Sequence, residues 1–462
     1  MKSTLRNWQQ RCIDAALDHY TFAPHFFCQA TPGAGKTWMA AELAKHLLQQ
    51  GKIDLVLCFA PSCQVVEGFR STFSKILGRP LDGLIGAVGA ACTYQAMEHQ
   101  DEAFWALLDS YRVLAVFDEI HHCAGHDPFF NNAWGQQIVV RVQDRAAFTL
   151  ALSGTPWRSD DKGIALARYS ASEGRLICDY RYGLAEAIAD NVCRSPRIVQ
   201  LDNHAVKLTE ESNSDSQVRL FPSFNELLCD SPVSYEALLR HPEIINQMLV
   251  LAITKLDELR LVKADAGGLV VATDVAHAQQ VALALSARGE SFRLVTNRDK
   301  RAQDRINEFR NDDCRWIVAV GMISEGTDIP RLQVCCYLSR IRTELHYRQV
   351  LGRVLRRSGE TDDQAWLFVL AESTLEGFSE RVADDLPEDL AILSRVHATA
   401  VETDVFTKDS GPSYRLGYPP SDGAPLSLPK LSLEQPLTSI DSASVYQLSF
   451  SERYHHHLLA IF

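Results

Sequence analysis

A short glycine-rich segment near the start of the chain has the residue types of a phosphate-binding loop. Residues 30–37 read ATPGAGKT, and they stand between a short apolar run, predicted as a strand, and an amphipathic segment, predicted as a helix. Glycines let successive backbone N–H groups converge on phosphate oxygens, and the start of a helix adds positive potential. Lys36 could reach the outer phosphates of a nucleotide, while the Thr37 hydroxyl could hold Mg²⁺. The segment departs from the general pattern at Ala30, where glycine is usual, and a glycine-rich turn that binds no phosphate remains the alternative.

Two neighbouring carboxylates form the second candidate feature. Asp118 and Glu119 follow an apolar run at Val113–Phe117, which we predict as a strand. In a doubly wound sheet, ligands bind at the carboxyl ends of the strands. Asp118 would hold Mg²⁺, and Glu119 would orient or deprotonate the water that attacks the phosphate. Such a pair alone is more often a solvated strand end, but together with the upstream loop it predicts the second half of a nucleotide site.

Strand-like and helix-length segments alternate along most of the chain, which predicts parallel α/β sheets. One alternation extends to about residue 180 and a second lies between residues 269 and 370. We therefore predict two α/β domains in tandem, at residues 1–180 and 181–398. The second carries a loop-like insertion at about 195–242, rich in Asn, Ser, Asp and Pro. Residues 399–462 are rich in Pro, Ser and Gly, which predicts a tail or a small accessory segment.

Composition limits the class of protein. The 462 residues are 46% hydrophobic and 23% charged, which excludes a disordered or fibrous chain. The apolar runs are shorter than the roughly 20 residues that span a bilayer, and the N-terminus has no apolar signal core, so we expect a cytoplasmic protein without membrane contact. The net charge of −12 argues against a surface coated in positive charge, so a grip on nucleic acid would depend on a shaped groove.

Read together, these motifs resemble those of the superfamily 2 helicases and translocases. Residues 118–121, DEIH, match the DEAD/DEAH box of that family, and residues 153–156, SGTP, are similar to its third motif. Gln9 stands where the family has an upstream glutamine motif that reads adenine. In the second half of the chain, residues 321–330 (GMISEGTDIP) resemble motif V, and residues 349–356 (QVLGRVLR) resemble motif VI.

The resemblance implies an α/β fold with two tandem RecA-like domains, parallel sheets and an ATP site in the interdomain cleft. Arg353 and Arg356 would project from a helix across this cleft as arginine fingers, beside the catalytic Lys36, Asp118 and Glu119. Thr37 and Asp118 would hold Mg²⁺. The implied nucleotide-binding residues are Gln9, Thr31, Gly33, Gly35, Lys36, Thr37, Gly326 and Asp328. The residues implied to couple the nucleotide state to domain movement are His121, Ser153, Thr155 and Gln349.

Nucleic acid is the implied track. The implied contact residues are Pro61, Ser62, Thr93, Tyr94, Thr273 and Thr327. These contacts would fall mostly on phosphates, so sequence preference should be low. The wording of motifs V and VI is more similar to the DNA-directed branch, which includes restriction-enzyme motor subunits and bacterial repair helicases. We therefore expect DNA as the partner, with RNA still open, together with protein partners from a repair, restriction or anti-phage defence system. An ATPase switch or a protein-remodelling motor without strand separation remains the alternative.

Overall fold

A computed structural model of the chain describes residues 5–124, 133–155, 163–170, 176–211, 216–296, 299, 301–321, 329–359, 362–384, 394–397 and 445–460. Within these residues the strands form two large sheets, one in each half of the chain. None of the helices in these residues is both long enough and apolar enough to cross a membrane.

The first half of the chain forms a sheet whose paired strands run parallel, in the order β3-β2-β4-β5-β1-β8. The strands of this half are β1 (His25–Ala30), β2 (Leu55–Ala60), β3 (Gly89–Thr93), β4 (Val113–Phe117), β5 (Phe148–Ser153), β6 (Arg168–Tyr169), β7 (Leu176–Ile177) and β8 (Tyr180–Tyr182). Strands β6 and β7 pair only with each other in the described part of the chain.

Helices cover both faces of this sheet. They are α1 (Asn7–His19), α2 (Lys36–Gln49), α3 (Cys63–Leu77), α4 (Tyr94–Met97), α5 (Glu102–Trp105), α6 (Leu107–Ser110), α7 (Ala133–Gln137) and α8 (Leu184–Ala189), with a 3₁₀ turn at Ile120–His122 and a π-helical turn at Ile138–Val142. Side chains alternate along a strand, so Val56 and Cys58 of β2 pack into the core with α1 to α3, whereas Leu57 and Phe59 pack with α4 to α6. Burial on both faces explains why these strands read as continuous apolar runs.

The second half of the chain forms a larger sheet in the order β13-β14-β12-β15-β16-β9-β19-β17. The pairs from β13 to β9 are parallel, and β19 and β17 are added in antiparallel orientation. The strands of this half are β9 (Ser195–Asn203), β10 (Val206–Glu211), β11 (Ser216–Phe221), β12 (Gly267–Ala272), β13 (Phe292–Thr296), β14 (Trp316–Val320), β15 (Leu332–Leu338), β16 (Gln364–Leu370), β17 (Ser394–His397), β18 (Val445–Phe450) and β19 (Tyr454–Ala460). The helices are α9 (Phe224–Asp230), α10 (Tyr235–Leu239), α11 (Pro242–Val262), α12 (Val275–Ser286), α13 (Ala302–Asn311), α14 (Glu344–Val354) and α15 (Ser373–Asp384).

The segment at 195–242 differs from the loop-like insertion that its composition suggests. It contains β9, which belongs to the main sheet, then β10 and β11, and then α9 and α10. Two of the serines that made the segment look like a loop are helix caps, because Ser223 accepts a hydrogen bond from Glu226 N (3.1 Å) and Ser234 accepts one from Ala237 N (3.1 Å). The small polar residues therefore begin helices here.

The far C-terminal part of the chain is joined to this same region. Strand β18 pairs with β10, and β19 pairs with β9, so residues near 450 extend sheets that begin near residue 195. Asn203 supports the junction, since its side-chain amide donates to Ser451 O (2.9 Å). The predicted α/β class with two parallel sheets in tandem is confirmed, while the domain limits at 180 and 398 remain predictions.

Candidate functional site

Three strand ends bring the two sequence-predicted motifs together. Strand β5 lies between β1 and β4, so the carboxyl ends of all three strands are neighbours. The glycine-rich loop follows β1, the acidic pair follows β4, and Gly154 and Thr155 follow β5. Sheet order therefore places these segments side by side, although β1 and β4 are far apart in sequence.

The loop after β1 has the backbone that glycine permits. Gly33 has a φ of +83° and Gly35 a φ of +93°, both in the left-handed region. Gly35 caps α2, so Lys36 is the first residue of that helix and the N–H groups of the first turn face the loop. Lys36 Nζ donates to Ala30 O (3.1 Å) and lies 3.6 Å from Glu119 Oε1. The ammonium group is thus held in the loop, facing the acidic pair.

Asp118 is a buried carboxylate with an incomplete set of partners. Its backbone N–H donates to Phe59 O (2.9 Å), and its carbonyl accepts from the Tyr94 hydroxyl (2.7 Å). The side-chain Oδ1 has no hydrogen-bond partner among the described residues. Burial and the neighbouring Glu119 charge raise the pKa of this carboxyl above its usual range. Thr37 lines the same cleft as this buried carboxyl, and the two supply oxygen donors of the kind that Mg²⁺ prefers, so the donor set fits Thr37 and Asp118 as the ion's ligands.

Glu119 is held in a strained but well-contacted position. Its φ of +48° is unusual for a residue with a side chain. Oε2 accepts a hydrogen bond from Gly154 N (3.3 Å) and lies 3.4 Å from His121 Nδ1. Burial would raise the pKa of this carboxyl, but the charges of Lys36 and His121 outweigh burial and lower it. Glu119 is therefore ionised and able to accept a proton.

Three of the four residues expected to couple the nucleotide state to domain movement meet around Ser153, and the fourth, Gln349, lines the cleft from the second half of the chain. His121 Nδ1 lies 2.9 Å from Ser153 Oγ, and Thr155 N donates to that same oxygen (3.2 Å). His121, Ser153 and Thr155 are all buried. These contacts connect the segment that follows β4 with the segment that follows β5.

The glutamine that was expected to read adenine contacts the loop. Gln9 Nε2 donates to Gly35 O (3.0 Å), and Gln9 Oε1 accepts from Arg6 N (2.9 Å). Arg6 adds a second tie, since its Nη1 donates to Ala34 O (2.9 Å). Thr31 is buried, and its backbone N–H donates to Tyr182 O (3.1 Å). These contacts attach the start of helix α1 to the glycine-rich loop, and Arg6, which precedes the helix and stands just before Gln9 in the glutamine motif, also lines the cleft.

Residues from the second half of the chain close the site. A cleft of about 450 Å³ lies between the two sheets. Among the described residues, those that line it from the first half include Arg6, Gly33, Gly35, Lys36, Thr37, Asp118, Glu119, Gly154 and Thr155. Those from the second half include Pro330, Gln349, Arg353, Arg356 and Arg357. The cleft thus combines a glycine-rich loop, two carboxylates and several arginines.

One of the expected arginine fingers is not on a helix. Arg353 lies in the last turn of α14, but the helix ends at Val354, and the prediction that Arg356 projects from it is wrong. Arg356 instead forms a β-bridge with Cys193, which lies in the connector between the two sheets. Its stem packs on the loop, since a Cβ added at Gly33 would lie 3.0 Å from Arg356 Cγ. Arg357 also lines the cleft. Its position directly after Arg356 in the sequence is the signal that could have predicted this.

The residues expected to contact nucleic acid have structural contacts of their own. Ser62 caps α3 by accepting from Val65 N (3.4 Å), and Thr93 caps α4 by accepting from Ala96 N (3.1 Å). Thr273 Oγ1 lies 3.0 Å from His277 Nδ1. These three side chains are only partly buried; Ser62 follows β2, and Thr93 is the last residue of the adjacent strand β3.

Other members of that set lie elsewhere. Pro61 lines the cleft. Tyr94 is fully buried and hydrogen-bonded to Asp118 O, so its side chain supports the acidic pair and offers no surface to a polymer. The expected Thr327, like the nucleotide-binding Gly326 and Asp328, lies outside the described residues.

Comparisons with known proteins match both halves of the chain. A family model described as the res subunit of type III restriction enzymes matches residues 2–158, and one for the helicase conserved C-terminal domain matches residues 253–358. An uncharacterized protein of Mycobacterium tuberculosis is 31% identical over 380 residues, which cover 77% of this chain and 60% of that protein. The chain thus spans about 60% of the length of the first curated relatives that it matches.

Two further similarities are more distant. The DNA 3'-5' translocase XPB2 of Sulfurisphaera tokodaii is 23% identical over 380 residues, covering 77% of this chain and 79% of that protein. Among solved structures, a fragment of an HsdR subunit of a type I restriction enzyme from Vibrio vulnificus superposes with a TM-score of 0.56 at 15% identity. That alignment covers 83% of this chain and 67% of the other. This likeness indicates the fold.

Proposed function

Because the chain belongs to the superfamily 2 helicases and translocases, in the branch of the restriction-enzyme motors, we propose that it is an ATP-driven motor that moves along DNA. Its two sheets are the cores of tandem RecA-like domains. The observation that carries the proposal is the cleft, where the loop and acidic pair of one domain face Arg353 and Arg356 of the other. Such a cleft can join ATP hydrolysis to movement of one domain against the other.

In the proposed reaction, ATP lies in the cleft with its phosphates at the glycine-rich loop. Lys36 supplies positive charge to the outer phosphates, and Glu119 orients the attacking water and accepts its proton. Arg353 and Arg356 add positive charge to the phosphoryl group as the domains close. Thr37 and Asp118 would hold Mg²⁺, which neutralises phosphate charge when bound. Water adds to the outer phosphoryl group as its bond to ADP breaks, and release of the phosphate removes charge that favours closure, so the cleft reopens.

DNA is the track that the observations favour. One relative is a DNA 3'-5' translocase by name, and the first family model is that of a restriction-enzyme subunit. The proposed contacts, Ser62, Thr93, Thr273 and Thr327, carry hydroxyls that bind phosphate oxygens without reading bases. This mode suits a chain with a net charge of −12, because it needs local donors and no basic coat. We further propose that the motor works with partner proteins in repair, restriction or anti-phage defence.

Replacing Glu119 with glutamine should separate binding from hydrolysis. Glutamine keeps the size and an acceptor for Gly154 N, which Glu119 contacts at 3.3 Å, but it has no charge with which to accept a proton. We expect ATP affinity near that of the wild type and hydrolysis slower by about 100-fold. Because closure persists, the variant should stay bound to duplex DNA in ATP. Single-turnover hydrolysis and DNA co-sedimentation measure the two effects.

The control for this variant is Glu102→Gln, a glutamate of the same domain whose side chain is 76% exposed. It should hydrolyse ATP at the wild-type rate. Movement is tested separately by ATP-dependent displacement of a third strand from a DNA triplex. Normal turnover in Glu119→Gln would refute the role of this carboxylate. If the third strand is displaced without ATP, or is not displaced although the enzyme hydrolyses ATP, the switch or protein-remodelling alternative would be favoured.

A further inference from the structure

A buried arginine lies in the connector between the two domains. Arg194 stands between α8 of the first domain and β9 of the second, and it is 0% exposed. Its guanidinium forms a two-pronged ion pair with Asp362, from Nε to Oδ1 (2.5 Å) and from Nη2 to Oδ2 (2.5 Å). Such planar pairs fix direction as well as distance. This ion pair therefore attaches the connector to the second domain through one side chain.

The remaining donors of Arg194 bind the ends of two motifs. Nη2 donates to Pro330 O (2.6 Å). Pro330 is the last residue of motif V and lines the cleft. Nη1 donates to Val354 O (2.6 Å), in the last residue of α14, and to Leu332 O at the start of β15. Carbonyls of a last helical turn have no intrahelical partner, so Arg194 satisfies an acceptor that the end of α14 leaves open.

Backbone contacts continue from this point to the nucleotide loop. Arg194 N donates to Leu355 O (2.8 Å), and the preceding Cys193 forms the bridge with Arg356. The Cys193 thiol donates to Pro32 O (3.5 Å) in the loop. Arg356 lies beyond the end of α14, so the helix does not hold it. The bridge to Cys193 joins it to the connector.

The partner of Arg194 is saturated by other donors. Asp362 Oδ1 accepts from Gln333 Nε2 (2.5 Å), while Oδ2 accepts from Ser358 N (3.0 Å) and Lys263 Nζ (3.0 Å). A buried ion pair contributes little net stability, because desolvation offsets the attraction, and apolar residues of the same size often do as well. What this network provides, and an apolar cluster would not, is a fixed position for the backbone of residues 354–356.

We propose that Arg194 is a positioning residue for ATP hydrolysis, which holds Arg356 against the glycine-rich loop. The proposal rests on the proposed function, in which Arg356 stabilises the phosphoryl group as the domains close. It makes the connector and Arg356 one rigid unit, so any rotation of the connector carries Arg356 with it. Arg356 would then reach the phosphates only when the two domains are in one relative orientation.

The variant that tests this proposal is Arg194→Lys. Lysine keeps the charge but has fewer donors and no planar fork, so it cannot hold Asp362 and the carbonyls together. We expect kcat for ATP to fall at least about tenfold, because small misplacements of a catalytic group are costly. KM for ATP should change by less than about twofold, since Arg356 acts mainly in the transition state.

Arg331→Lys is the matched control. Arg331 is also buried, 4% exposed, and donates to Phe309 O (2.8 Å) and Asp265 O (2.8 Å) in the same domain. Neither acceptor nor Arg331 itself is among the described residues that line the cleft. The control should lower the melting temperature as Arg194→Lys does, yet keep kcat. If Arg194→Lys does not fold, Asp362→Asn carries the same expectation.

A double-mutant cycle with Arg356→Ala gives the decisive result. If Arg194 acts through Arg356, then Arg194→Lys lowers kcat in the wild-type background but not in Arg356→Ala. Equal loss in both backgrounds, or an equal loss in Arg331→Lys, would overturn the proposal. The cycle uses hydrolysis measured without polymer, so it stands even if DNA fails to stimulate the enzyme, an outcome that would count against the proposed function alone.

Discussion

Replacing Lys36 with alanine is expected to abolish ATP turnover. The ammonium group lies in the cleft, 3.1 Å from Ala30 O and 3.6 Å from Glu119 Oε1, where the outer phosphates of ATP would bind. Removing a charged donor from the transition state should cost about 1,000-fold in kcat. The same change frees Glu119 from its cation, so its carboxylate loses part of its electrostatic support. Steady-state ATP hydrolysis with DNA present measures the loss.

The matched control is Lys45→Ala, a lysine farther along α2 whose ammonium pairs with Glu42 (3.1 Å). It should leave turnover unchanged, because a partly exposed ion pair within one helix contributes little. Turnover within about twofold of wild type in Lys36→Ala would remove the glycine-rich loop from the mechanism, whatever the control does.

Replacing Arg353 with alanine should lower kcat for ATP hydrolysis far more than it weakens ATP binding. Arg353 lies on α14 and lines the cleft together with the loop. Under the proposed function, its charge would reach the phosphates when the domains close. Arginine fingers contribute about 1,000-fold or more to phosphoryl transfer, and we expect a loss of that order in kcat. The affinity for ATP, measured by equilibrium binding of a fluorescent analogue, should change only about threefold.

Arg301→Ala is the control for this variant, since Arg301 belongs to the same domain and its side chain is 70% exposed. It should turn over ATP at the wild-type rate. A parallel loss of affinity and turnover in Arg353→Ala would mean that the arginine binds the ground state, which contradicts its role as a finger.

The nucleotide loop and the acidic pair could be predicted from sequence because each is a short, continuous segment at a strand end. Residues 30–37 and Asp118–Glu119 need only the strand before them and, for the loop, the helix after it. Parallel sheets bring such ends to one edge, so two local signals were enough to place one site. The order of the later motifs then indicated a second domain on the other side of the cleft.

Residues whose role depends on distant contacts could not be predicted in this way. The burial of Tyr94 and its bond to Asp118 O depend on how β3 and β4 are arranged around β2. At the end of α14, the carbonyl of Val354 accepts a hydrogen bond from Arg194 of the distant connector. No local pattern marks an arginine whose partners are 136 to 168 positions away along the chain.

The accessory strands show the same limit. Residues 195–242 have the composition of a loop, yet β10 is paired on one side by β11 and on the other by β18 from the C-terminal part. Small polar residues can cap helices and close turns as readily as they can form loops, and pairing across more than 200 residues leaves no local trace. Composition therefore located the segment but not its structure.

The measurement that tests the central claim most directly is steady-state ATP hydrolysis without polymer and with single-stranded DNA, duplex DNA or RNA, with Lys36→Ala as the blank. A DNA motor predicts that DNA raises the rate well above the rate without polymer, and that RNA does so less. A high rate that no polymer changes, still absent in Lys36→Ala, would contradict the claim and favour an ATPase switch or a protein-remodelling motor.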